Sequence, residues 1–292
     1  MRADLHVHSN ASDGTDPPAE VMRRAARVGL DVVALTDHDT VAGHAEARAA
    51  AGPVTLLPGM ELSCRLDNRS RRGPGGTKGS FPRGWQSVHM LAYLFDPDQP
   101  GLAAELTRIR DDRVLRARAM VDRLADLGVD ISWEQVAAIA GQAVVGRPHI
   151  ARAMAASGVI ASPREAFTRD WIADGGRAYV GRYALDPARA IGLVRAAGGV
   201  TVLAHPRAGR DTFVSDEQIT RLAAEGLAGL EVFHPDQSDA ERIRLLALAH
   251  DLDLVVTGGS DDHGSLTDHR LGCETAPAGA YQDLISLARP GS

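Results

Sequence analysis

Short apolar runs in this chain end again and again in a histidine or an acid, and helical patterns separate them. The first run is Asp4-Leu5-His6-Val7-His8. Its alternation has the two-residue period of a β-strand, which points His6 and His8 to one face. Two imidazoles side by side can give one nitrogen each to a single metal ion. Further runs follow at 31–36, ending in Asp37-His38-Asp39, at 54–62 with Glu61, and at 87–95 with His89 near its start. The runs at 200–205, 227–234 and 254–258 lead into His205, His234 and Gly259-Ser260-Asp261-Asp262-His263.

Between the runs the spacing predicts helices. Pro17-Pro18 opens one that Gly29 ends, and others are expected at 41–51, 187–197, 216–225 and 238–250. Strand alternating with helix is the rhythm of a parallel sheet or an α/β barrel. In a parallel barrel the C-terminal strand ends gather on one rim, so residues far apart in sequence meet there. His89 begins its run whereas Glu61 nearly ends the one before. For both to reach one rim, the strand holding His89 must run antiparallel to its predecessor.

Two stretches break the rhythm. Residues 65–86 carry Arg65, Arg69, Arg71, Arg72, Lys78 and Arg83 among glycines and prolines. They are read as a basic, solvated, mobile insertion, with a phosphate-guiding flap as the functional alternative. Gly73-Pro-Gly-Gly-Thr-Lys78 lacks the glycine that a phosphate-binding loop needs before its lysine. From 99 to 190 the pattern is helical: a long amphipathic stripe from Leu102 to Leu127, then shorter helices at 132–140, 148–157 and 163–171. This segment is too long for a loop and is read as an inserted helical domain. The expected organisation is a barrel part at 1–98, the insertion at 99–190, and a second barrel part at 191–292. Arg113 lies within the apolar stripe and is read as a side chain that snorkels to solvent. Gly146-Arg147-Pro148-His149 reads as a turn into a helix, where backbone N–H groups and an arginine favour phosphate.

Composition narrows the function. The 292 residues carry a net charge of −6, so no global field attracts nucleic acid. Two cysteines, Cys64 and Cys273, cannot form a disulfide framework. No apolar run approaches the length of a membrane span, and a strand begins where a signal peptide would lie. A cytoplasmic protein is expected, without an obligate protein partner and monomeric. Aromatics make up only 4% of the chain, and Trp85 and Tyr183 are the stacking candidates, so extensive single-strand binding is not expected.

In order, D-L-H-V-H-S-N-A-S-D-G, T-D-H-D-T, P-G-M-E, His89, A-H-P and G-S-D-D-H resemble the PHP (polymerase and histidinol phosphatase) family of metal-dependent phosphoesterases. The match spans residues 4 to about 264, and G-R-P-H resembles the subgroup acting on nucleoside 3′,5′-bisphosphates and 5′ ends of short oligonucleotides. The resemblance implies a distorted (β/α)7 barrel with three divalent metal ions. His6, His8, Glu61 and Asp261 would hold the first. Glu61 would bridge to a second, completed by His89 and His205, and Asp13, His38 and His263 would hold the third. Imidazoles and carboxylates without thiolate suit Mn, Fe or Zn, with Mn expected.

The expected reaction is hydrolysis of a nucleotide phosphate monoester by a metal-bridging hydroxide, held and activated by His6, His8, Glu61 and Asp261. Arg147 and His149 would bind phosphate. His234 is a candidate proton donor to the leaving oxygen, with a supporting or core role as the alternative. Asp37 or Asp39 would orient an imidazole. Asp236-Gln237-Ser238 departs from the subgroup, which tends to place a histidine before the serine. The alternatives are a histidinol-phosphate phosphatase and a hydrolase of C–N bonds.

Overall fold

The computed structural model describes residues 1–67, 85–209 and 213–288. Of the basic insertion expected at 65–86, residues 68–84 lie outside the described residues, and its two ends, 65–67 and 85–86, are corrected to strand. Seven strands form one sheet in sequence order: β1 (Ala3–Val7), β2 (Val32–Leu35), β3 (Thr55–Asp67), β4 (Trp85–Tyr93), β5 (Val200–Leu203), β6 (Gly229–Phe233) and β7 (Val255–Gly258). Neighbouring strands are parallel except that β4 runs against both β3 and β5. The antiparallel strand expected from the placement of His89 is therefore observed.

The sheet curls until its edges meet. Asp261 N donates to His6 O at 2.8 Å and His8 N to Asp262 O at 3.0 Å. The Asp4 carboxylate accepts from the backbone of Ser260 at 2.9 Å and Gly272 at 2.8 Å. Gly259 permits this approach: a Cβ there would lie 2.4 Å from the His6 Cβ. The result is a nearly closed, distorted (β/α)7 barrel, as expected.

Alternating side chains pack its two faces. Val32 and Ala34 join Leu5, Leu57, Leu91 and Val202 in one cluster, while Val33 and Leu35 meet the helix α1 (Pro18–Arg27) in another. The outer helices continue with α2 (His44–Ala49), then, after the insertion, α6 (Pro187–Ala196), α7 (Asp216–Ala224) and α8 (Asp239–Asp251). A last helix, α9 (Ala280–Leu287), supplies Ala280 and Leu284 to the inner cluster. Its short apolar pattern went unread in the sequence.

The insertion comprises α3 (Pro100–Asp126), α4 (Trp133–Ala140) and α5 (Arg147–Ala156). The Gln99 side chain caps α3 by accepting from Leu102 N at 2.8 Å. Its first turns add Leu102 and Leu106 to the barrel core. Its second half joins α4 and α5 in a separate core containing Met120, Leu124, Val136, Ile150 and Met154. The helix expected at 163–171 is corrected to one 3₁₀ turn, Pro163–Ala166. Past it, the chain folds back: Ile172 N bonds Ala166 O, and Ala178 N bonds Trp171 O.

Candidate metal centre

Six parallel strands aim their C-terminal ends at one rim, and β4 brings His89 there from the opposite direction, facing Ser63 on β3. Glu61 sits at the centre of the cluster and is 1% exposed. Its Oε2 lies 3.3 Å from His6 Nε2, 3.1 Å from His8 Nε2 and 3.2 Å from His38 Nδ1. Its Oε1 lies 2.7 Å from His89 Nδ1 and 3.2 Å from His205 Nε2. Asp261 Oδ1 is 3.3 Å from His6 Nε2 and 3.2 Å from His8 Nε2. Asp13 Oδ1 is 3.3 Å from His263 Nε2, and its Oδ2 is 3.7 Å from His38 Nε2. All nine residues singled out as ligands thus lie in one cluster.

The donor atoms fall into overlapping groups that could each hold a metal ion. One is His6, His8, Glu61 and Asp261, the set expected for the first ion. A second contains Asp13, His38 and His263, with His8 added; a third joins Glu61 and His89 with His38. His205 reaches the same Glu61 oxygen as His89 but stands outside that third group. His38 therefore lies between two of the expected sites.

Several features suit these residues to cations. His6 Nε2 and His8 Nε2 face each other at 3.1 Å. His8 Nδ1 and His38 Nδ1 are buried and make no hydrogen bond among the described residues. His205 and Asp261 hold left-handed backbone, φ 27° and 52°, a strained conformation for residues with a Cβ. Burial would raise the Glu61 carboxyl, but His38, His89 and His6 hold it well below the usual range. Burial pushes His38 down to about 3, whereas Asp13 and Asp261 overcome burial at His263 and push it up to about 10. Without cations, the cage balances its acids with imidazole protons that a metal must displace.

A further ring of residues holds the cluster in place. Glu231 Oε1 accepts from His6 Nδ1 at 2.9 Å, which leaves His6 Nε2 as the free lone pair. Glu231 Oε2 accepts from His205 N at 2.7 Å. Glu231 was missed in the sequence; the available signal was an acid inside the apolar strand Leu230-Glu231-Val232. His234 is 1% exposed, accepts from Asp236 N at Nδ1, and sets Nε2 3.4 Å from Asp261 Oδ2. Neither acid flanking His38 has a hydrogen bond to it among the described residues. Asp37 instead accepts from Ser9 N and the hydroxyls of Ser9 and Ser12, fixing the turn after β1. Asp39 pairs with Arg113 at 2.5 Å and accepts from Ser63 N. Arg113 is therefore a half-buried clamp between α3 and the rim, tied to the buried Asp39, not a snorkelling surface side chain.

Beside His89 and His205 lies a cleft of about 280 Å³ that Ser87 and Arg147 also line. Arg147 is steadied by Asp174 at 3.1 Å, and Arg182 donates to Ser87 Oγ at 2.7 Å. Burial and neighbouring Arg113 push the Arg182 guanidinium down to about 10. Burial and Arg147 push Arg116 down to about 9. Crowded guanidinium groups of this kind favour an anion among them. His149 is placed differently from Arg147: it is 2% exposed and accepts from Gly146 N at Nδ1, so it caps α5.

Fold and site together define a barrel of the metal-dependent hydrolase class. A family model described as "PHP domain" matches residues 4–127. A 5′-3′ exoribonuclease of Haemophilus influenzae is 32% identical over 98% of this chain and 96% of its own. A 3′,5′-nucleoside bisphosphate phosphatase of Chromobacterium violaceum is 32% identical over 98% of this chain and 94% of its own. A crystal structure from Bifidobacterium adolescentis, described as a candidate metal-dependent phosphoesterase, superposes with a TM-score of 0.86. It shares 34% identity and covers 99% of this chain and 96% of that one. This chain belongs to the PHP family.

Proposed function

We propose that this protein is a metal-dependent phosphoesterase that hydrolyses phosphate monoesters of nucleotides. Its substrates are nucleoside 3′,5′-bisphosphates, the 5′ ends of short oligonucleotides, or both. The observation that carries this reading is the central Glu61, both of whose oxygens are ringed by imidazoles beside an arginine-lined cleft. The curated relatives named as bisphosphate phosphatase and exoribonuclease support it.

In this reading His6, His8, Glu61 and Asp261 hold one divalent ion, Glu61, His89 and His205 a second, and Asp13, His38 and His263 a third, with Mn as the expected metal. Bound there, such ions activate water near neutral pH and neutralise charge growing on the phosphoryl oxygens. Glu231 keeps His6 in the tautomer that leaves Nε2 free. His234 positions Asp261 rather than serving the leaving oxygen, because it is buried and directed at that carboxylate. Arg147, with Arg182 behind Ser87, holds a phosphate in the cleft. The helical segment 99–190 caps the rim and shields the reacting phosphate from bulk water.

Phosphate release with Mn²⁺ tests this reading on a nucleoside 3′,5′-bisphosphate, a 5′-phosphorylated short RNA and histidinol phosphate. One of the first two is expected to be hydrolysed fastest, with three metal ions per chain by elemental analysis. Preference for histidinol phosphate overturns the substrate assignment.

A further inference from the structure

A second and larger cleft, of about 700 Å³, opens on the other side of the cluster, where Asp13 and His263 form part of its wall. Its remaining surface joins the inserted segment to the barrel. Pro148 and Phe167 come from the insertion, and Pro235 and Leu266 from the loops after β6 and β7. Phe167 is 41% exposed, although most large apolar side chains here are buried. The Arg147 guanidinium lies 5.7 Å from its ring centre, and Phe167 lines both clefts.

Charge distinguishes the two clefts. The smaller one has Arg147 paired to Asp174 at 3.1 Å, with a further arginine, Arg182, just behind Ser87. The larger has Asp236, paired to His269 at 3.2 Å, and Asp13, which the third ion proposed above would neutralise; among the described residues its one lining arginine, Arg164, is paired to Asp268 at 3.0 Å. A second phosphate finds no unpaired arginine or lysine among the described lining residues there, whereas a flat, uncharged ring finds an aromatic face and apolar side walls. Thr267 and His269 also line it, and their Oγ1 and Nδ1 are buried without a hydrogen bond among the described residues, a costly arrangement. A ring edge bearing donors and acceptors relieves that cost when either side chain turns toward it.

We infer that this larger cleft is a nucleobase site. The base stacks on Phe167 and meets Thr267 and His269 at its edge, while the phosphate attached to the same nucleoside reaches the metal centre. The inference rests on the nucleotide reading above and specifies where the base lies.

Calorimetric titration of the Mn²⁺-loaded full chain tests it, with AMP and ribose 5-phosphate as probes. Base–aromatic stacking predicts that AMP binds about tenfold more tightly than the base-free probe. Phe167→Ala also removes the ring beside the Arg147 guanidinium, so AMP should lose about fivefold more affinity than ribose 5-phosphate, and the ribose 5-phosphate binding that remains shows that the variant is folded. Equal affinity for both probes in the parent protein overturns the inference. So does an equal loss of both in the variant, unchanged AMP affinity in the variant, or no AMP binding at all. The nucleotide reading fails separately. If AMP is preferred but no nucleoside bisphosphate is hydrolysed, the base site stands and the activity does not. If a nucleoside bisphosphate and ribose 3,5-bisphosphate are hydrolysed with equal kcat/KM, the activity stands and the base site falls.

Discussion

Glu231 shows how one buried acid sets the chemistry of residues it does not resemble in sequence. It accepts from the His6 ring and from the His205 backbone at the same time. Glu231→Gln keeps the shape but loses the charge and must turn an amide N–H toward one of those donors. Metal affinity, measured by chelator competition, should fall about 10- to 100-fold, while the circular dichroism of the fold is kept. An unchanged affinity would remove Glu231 from the support of the site. His44 makes a different point at the same scale. Its Nε2 donates to Gly59 O at 2.8 Å, and burial lowers its pKa although that carbonyl and Leu35 O raise it. The folded chain therefore binds a proton at His44 less readily than the unfolded chain, which binds one below about 6.5. Stability from this residue is present above that pH and declines below it. In thermal melts at fixed metal, His44→Gln should lose less stability than the parent between pH 7 and pH 5.5. Parallel losses would show that His44 contributes nothing to the slope.

Among the elements, α3 couples the two halves of the molecule, because its first turns pack on the barrel and its later turns form the insertion core. Arg113 makes that coupling polar, reaching from α3 to the buried Asp39 after β2 and to Ser63 on β3. Removing one partner of a buried pair leaves an uncompensated charge, so Arg113→Met should destabilise the protein by about 3 kcal/mol. A denaturant midpoint that does not move would show the clamp to be dispensable. The antiparallel β4 is the other decisive element. It was inferred from the opposite positions of Glu61 and His89 in successive runs, and the nine-residue pairing with β3 places both at the rim.

For the whole molecule, the cluster ties β1 to β5, β7 and the connections between them, so cations should stabilise the barrel as a unit. At a free concentration of 100 times Kd, each bound ion contributes about 2.7 kcal/mol. Stripping divalent ions with EDTA should lower Tm by several degrees, and Mn²⁺ should restore it; a Tm indifferent to both treatments would falsify cation binding at this cluster. Among the described residues no helix is long and apolar enough to cross a membrane.

Much of this architecture was legible in the chain. Apolar runs separated by helical patterns specify alternating strands and helices because local backbone preference and hydrophobic burial act along neighbouring residues; closure into a barrel was implied by the family resemblance. Histidines and acids at the ends of those runs point to one rim because parallel strands share a direction. The partners of the charged residues were not legible. Asp39 turned to Arg113, Asp37 to Ser9 and Ser12, and His149 to its own helix end. Those choices depend on which hydrogen-bonding groups meet when separated segments pack, and spacing along a chain carries no record of that meeting. Folding likewise set the positively lined cleft at Arg147 apart from the apolar one at Phe167, because each cleft joins the insertion to loops remote from it in sequence.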